Sequence, residues 1–146
     1  MGTRSLTVMK QADTEYCVLY RQMDGYPEGH GADLANFLGE FTVVNGINMT
    51  EVRKIANGAE CLFAQLIAHF KDGPGQFYLH PPGTREMWSE YVYTITVGER
   101  EEPIMFKVET AEWTTSEGTK DEKHYPSQTL WEGDVVDFEP ELCKEE

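Results

Sequence analysis

The order of patterns along the 146 residues predicts an α+β fold, in which an antiparallel β-sheet of two hairpins plus additional strands packs against two or three helices. Three observations carry that expectation. Two strand-like runs joined by a polar turn open the chain, a long repeat of apolar residues at helical spacing fills its middle, and a second pair of alternating runs follows. The regular strand-helix alternation of a doubly wound nucleotide-binding fold does not occur.

In chain order, residues 6–10 and 16–22 are rich in β-branched and aromatic side chains and flank the turn QADTE, which predicts a hairpin. The stretch DGYPEGHG, residues 24–31, breaks the strand pattern. Leu34, Phe37, Leu38 and Phe41 then fall at helical spacing and predict a short helix beginning near Gly31. Val52, Ile55, Ala59, Leu62, Phe63, Leu66, Ile67 and Phe70 recur in threes and fours, predicting a helix over residues 50–70 with Thr50 as its N-cap and Gly73-Pro74 as its stop. Asn57-Gly58 bends or splits it, since glycine costs ~1 kcal/mol relative to alanine in a helix interior.

GQFYLH reads as a short strand ended by Pro81, Pro82 and Gly83. Tyr91, Tyr93, Ile95 and Val97 alternate with Val92, Thr94 and Thr96, and IMFKVET alternates again after the charged turn GEREEP, which predicts the second hairpin. From Thr114 the chain is polar and turn-rich, with DVVDF as a later strand candidate. The expectation is a single domain over residues 1–146 whose segment 114–146 is acidic and loosely structured.

The formal charge of −14 is uneven: residues 1–80 hold 9 acidic and 6 basic side chains, residues 81–146 hold 17 and 6. Such a field repels phosphate backbones and attracts basic surfaces, so direct nucleic-acid binding is not expected. No apolar run is long enough to span a bilayer, and the N-terminus lacks the apolar core of a secretory signal, so the expected location is cytoplasmic. Cys17, Cys61 and Cys143 have no CxxC spacing and are expected as reduced thiols. The four histidines are dispersed, and neither a metal nor another cofactor is expected.

Two stretches concentrate residues able to bind a ligand. DGYPEGHG lacks the GKS or GKT ending of a P-loop, but a glycine-rich turn opening a helix presents backbone N–H groups to an anion. Arg21 just before it adds positive charge, and Asp24, Gly25, Tyr26, Gly29 and His30 complete this half of the expected site. Against that stands a plain turn, with the glycines at positive φ and Asp24 or Glu28 capping the backbone. The second stretch, FYLHPPGTR, supplies Tyr78, His80 and Arg85 and is followed by Trp88, Tyr91 and Tyr93, so that rings stack a planar base while arginine and histidine hold phosphate or ribose. The alternative is that the tyrosines fill one face of a sheet. His30 beside Asp24 or Glu28 also has the makings of a general base, although no nucleophile accompanies it: Cys17 and Cys61 lie on apolar faces and no GxSxG elbow occurs.

YRQMDGYPEGHGADLANFL, with the later FYLHPPGT and EYVYTITV, resembles an uncharacterised family of small proteins found in bacteriophages and in bacterial genomes carrying prophages. The likeness covers about the first two thirds of the chain and is most distinctive at Tyr20, Arg21, Asp24, Gly25, Tyr26 and Pro27. It implies a phage-type source, with the host cytoplasm as the place of action, and no particular catalytic residue. Small phage proteins commonly act on host machinery and counter host defence.

The reading that follows is a non-enzymatic binding protein that captures a small anionic, nucleotide-like ligand and thereby acts on host machinery. An acidic mimic of nucleic acid, or an inhibitor that docks on a basic host protein, is the alternative; a hydrolase using His30 with a carboxylate is the third. A second copy of the chain is a further partner that the sequence leaves open.

Overall fold

A computed structural model describes residues 2–44, 46, 54–85, 89–98, 102–115 and 122–143, with the backbone alone described for 112–115 and 122–127. Strands β1 (Ser5–Gln11) and β2 (Thr14–Arg21) form the first hairpin around a two-residue turn in which Ala12 takes φ of +49°. A single wide turn of π-helix, Pro27–Gly31, leads into α1 (Ala32–Leu38). Two short strands, β3 (Thr42–Val44) and β4 (Ile55–Asn57), pair in parallel as a separate two-stranded sheet. Helix α2 (Gly58–Phe70) follows, then β5 (Phe77–His80), β6 (Tyr91–Val97), β7 (Met105–Thr115) and β8 (Glu122–Asp134).

The main sheet has the order β5-β2-β1-β6-β7-β8 and is mostly antiparallel. Its β1–β6 pair runs parallel, which the connection through α1, α2 and β5 makes possible. Both predicted hairpins, β1–β2 and β6–β7, form. The fold is therefore α+β, as the patterns predicted.

Alternation along the strands sorts side chains onto two faces. Met9, Leu19, Tyr93, Ile95, Phe106 and Val108 face the helices, where Leu34 and Leu38 of α1 and Leu62 and Leu66 of α2 close the core. Burying each of those leucines completely contributes roughly 1.5–3 kcal/mol. The opposite face carries a smaller buried belt of Leu6, Val8, Val18, Tyr20 and Val92.

Two sequence expectations are corrected. The helix predicted over residues 50–70 is helical from Gly58: Ile55, Ala56 and Asn57 pair with Thr42, Val43 and Val44 as a strand, and Gly58 makes the reversal at φ of +84°. The proposed cap, Thr50, lies outside the described residues. In the last part of the chain the strand is β8, whose register with β7 runs from Glu122 to Asp134, whereas DVVDF forms a 3₁₀ turn, Val135–Asp137, capped by Asp134 Oδ1 accepting from the Val136 N–H at 3.1 Å. A second 3₁₀ turn, Pro140–Leu142, packs against the π-helical turn. No helix among the described residues is long and apolar enough to cross a membrane.

Candidate functional site

The corner at residues 24–31 folds in on itself. The Gly25 N–H donates to the Thr3 carbonyl at 2.9 Å, Gly29 and Gly31 donate to the Tyr26 carbonyl, and His30 donates to the Asp24 carbonyl. These amide hydrogens are held by the chain's own oxygens, so the expected anion nest of backbone N–H groups is not formed there. The glycines also serve a purpose other than the expected positive φ, which falls instead on Asp24 at +62°. They allow close approach: a Cβ on Gly29 would stand 2.6 Å from the Asp24 carbonyl oxygen, and one on Gly25 2.9 Å from that of Thr3.

What the corner positions is His30. Its ring has no exposed surface and packs edge-on against Tyr93 and Phe70, with centroids 5.3 and 5.6 Å away. Nε2 is 2.8 Å from Thr7 Oγ1 and Nδ1 is 3.0 Å from Arg21 Nη1. Because a guanidinium only donates, Nδ1 accepts, and the proton sits on Nε2 and is donated to Thr7. Burial, and then the charge of Arg21, lower the pKa of this imidazole to about 3. The expected general base oriented by Asp24 or Glu28 is thus replaced by a neutral ring whose two nitrogens are taken by Arg21 and Thr7.

Arg21, at the end of β2, is almost fully enclosed. Nε donates to the Met23 carbonyl at 2.7 Å, Nη1 also reaches Asp33 Oδ2 at 3.1 Å, and the guanidinium lies 5.1 Å from the centre of the Phe77 ring. None of these bonds uses Nη2.

The remaining expected residues divide between the two faces of the sheet. Tyr93 is on the helix face, where its hydroxyl donates to the Gly25 carbonyl at 2.6 Å, and Tyr91 lies partly buried beside it. Tyr78 and His80 pair in register with Tyr20 and Val18 and so stand on the other face, with their rings near that of Tyr20. Arg85 is there too, in a two-pronged ion pair with Glu15. Tyr26 is exposed beside the corner. The sheet itself therefore separates Arg21, His30, Tyr91 and Tyr93 from Tyr78, His80 and Arg85, and the single pocket expected from both stretches does not assemble. Trp88 lies outside the described residues.

Arg21 instead opens onto a cavity of about 520 Å³ between α1, the end of α2 and β5. Its walls are aromatic: Phe37 from α1, Phe41 from the segment that follows it, Phe70 from α2 and Phe77 from β5, joined by ring contacts of 4.9 to 6.1 Å. His69 lies over Phe37, with centroids 4.6 Å apart and planes inclined by 31°. Asp33, Asn36, Glu40 and Lys54 complete the lining, and Lys54 is ion-paired with Glu40. Sequence reasoning assigned Phe37, Phe41 and Phe70 to the core stripe of the helices and did not gather them into a site. The available signal was the gathering of large rings where the two helical runs end, Phe37 and Phe41 in the first and His69 and Phe70 in the second.

Among the described residues no three His, Cys, Asp or Glu side chains converge as a metal site, and the three thiols are unpaired. Comparison with known proteins found no matching family model, no similar curated protein and no similar solved structure.

Proposed function

We propose that the protein is a non-enzymatic binding protein that captures a small anionic ligand carrying a flat ring, in the cavity between α1 and α2. The observation that carries this reading is the enclosed guanidinium of Arg21, held by His30 and the Met23 carbonyl, stacked near Phe77, and lining an aromatic cavity. A pre-positioned arginine gives up little conformational entropy when it takes up an oxyanion, and Nη2 supplies donors for it. Phe37, Phe70 and His69 offer faces for a planar base, while Asn36 and Asp33 offer polar partners for its edge or for a sugar hydroxyl. The volume suits a mononucleotide-sized molecule.

The resemblance to small phage proteins makes a host signalling nucleotide the first ligand class to test. Calorimetry with linear and cyclic nucleotides, on the wild-type chain and on Phe37→Ala, is the experiment. Binding of at least one nucleotide, lost or strongly weakened in Phe37→Ala, is the expected result; no heat with any of them overturns the reading. The acidic-mimic alternative has less support, because the described carboxylates Glu15, Glu40 and Glu109 each stand beside a cation, namely Arg85, Lys54 and Lys107.

A further inference from the structure

The outer strand of a sheet exposes backbone donors and acceptors that another chain can use. This sheet ends in β5 on one side and β8 on the other. The β5 edge is four residues long and guarded, since Lys71 Nζ donates to the carbonyls of Gly75 and Phe77 at 2.9 and 2.8 Å, and Pro81 and Pro82 follow. The β8 edge is different. It runs for 13 residues, and among the described residues no strand lies against its outer side.

The register shows which groups face outward. The Val135 N–H donates to the Ile104 carbonyl at 2.9 Å, and the pairs Met105 with Asp134, Phe106 with Gly133 and Lys107 with Glu132 follow in step. Hydrogen-bonded and non-hydrogen-bonded pairs alternate in an antiparallel ladder. Gly133 is therefore bonded inward to β7, and the backbone groups of Glu132 and Asp134 point away from the sheet. The same two residues carry carboxylates, in the half of the chain with 17 acidic and 6 basic side chains. Glu132 is exposed.

We propose that the outer edge of β8 at Glu132 and Asp134 takes up, by strand addition, an extended segment of a basic partner protein with Lys or Arg at alternate positions. Side chains on one face of a strand repeat every second residue, so basic residues two apart would stand beside these two carboxylates. A second copy of this chain would set Glu132 and Asp134 against like charges, which disfavours self-pairing along this edge. The surface is separate from the cavity between α1 and α2, and the proposal does not depend on what that cavity binds.

The test uses the full chain and a short labelled peptide of alternating Lys and Thr. Two controls accompany it: the same peptide methylated on alternate backbone nitrogens, which keeps the charge but blocks strand pairing, and one with Glu in place of Lys. Fluorescence anisotropy is expected to show binding of the first, roughly tenfold weaker binding of the methylated form, and none of the acidic one. Glu132→Gln, which removes the charge without setting a second cation against Lys107 on the neighbouring strand, is expected to weaken the first peptide severalfold, with the thermal midpoint nearly unchanged because the side chain is exposed. Hydrogen exchange should slow at the amides of Glu132 and Asp134 in the complex. Equal binding of the methylated peptide, protection confined to other residues, no binding of any peptide, or a β8-mediated dimer seen by sedimentation without peptide would each overturn the proposal.

Discussion

Arg21 and His30 form one buried unit, with Nη1 3.0 Å from Nδ1, and that contact decides both the tautomer of the imidazole and the direction of the guanidinium. A neutral histidine is the only form that accepts from an arginine at this distance. The same contact aims the arginine at the cavity.

The first prediction concerns pH. His30 titrates near 6.5 in the unfolded chain and at about 3 in the folded one. Above pH 6.5 neither state binds this proton, so the stability is fully present. As pH falls below 6.5 the unfolded state gains a proton that the folded state refuses, and stability is lost until the folded pKa is reached. Between pH 7.5 and pH 5 the loss amounts to about 2 kcal/mol. Urea midpoints at the two pH values measure it, and His30→Gln, which can still accept from Arg21, should show a much flatter response.

Removing the arginine tests the other half of the unit. Arg21→Met leaves His30 Nδ1 without its donor and the Met23 carbonyl with only the longer bond from Gln76 Nε2 at 3.4 Å, and the expected cost is about 2–4 kcal/mol in chemical denaturation. Asp33 adds little, because its side chain is 51% exposed and water replaces the lost partner. The charge of Arg21 is one of the two causes holding the imidazole pKa down. In the variant, the acid-induced loss should therefore level off at a higher pH than in the wild type.

The corner glycines make a steric prediction. Gly29→Ala places a methyl group 2.6 Å from the Asp24 carbonyl oxygen, a backbone atom that already accepts from His30. Gly31→Ala meets the rings of Tyr93 and Phe138 at 3.2 and 3.3 Å. Gly29→Ala should cost about 1–3 kcal/mol, and Gly31→Ala less, since rings can shift where backbone cannot. Thermal denaturation of the two variants checks the order.

Much of the scaffold was legible because alternation and helical spacing are local properties. Tyr91 to Val97 and Leu62 to Phe70 carry their periods in plain view. The spacing also ran too far: Val52 and Ile55 extend the helical period upstream of Gly58, yet Ile55 is drawn into pairing with Thr42, a contact that no local pattern reports. Strand β8 stayed hidden for the opposite reason. Its first half, EKHYPSQ, is polar and contains a proline, which an edge strand tolerates because one of its sides needs no partner. The candidate site was half legible. Arg21 and His30 do come together, but Tyr78 and His80 were grouped with Tyr91 and Tyr93, and which face each pair occupies depends on the register between strands far apart in sequence.

The cavity between α1 and α2, proposed above as the ligand site, gives the last prediction through Asp33. Its carboxylate already sits 3.1 Å from Arg21 Nη1, so an incoming oxyanion meets a resident anion at the same guanidinium. Asp33→Asn keeps the size of the side chain and removes the charge. Because Asp33 is half exposed, the substitution should change stability by less than about 1 kcal/mol. Removing a like charge next to the bound anion should tighten binding of a nucleotide severalfold, and should do so more at low salt than at high salt, where the repulsion is screened. Calorimetry of the wild type and Asp33→Asn with one anionic ligand at two salt concentrations measures both effects. An unchanged affinity at both would mean that the anion does not approach Arg21, and would move the binding site away from this end of the cavity.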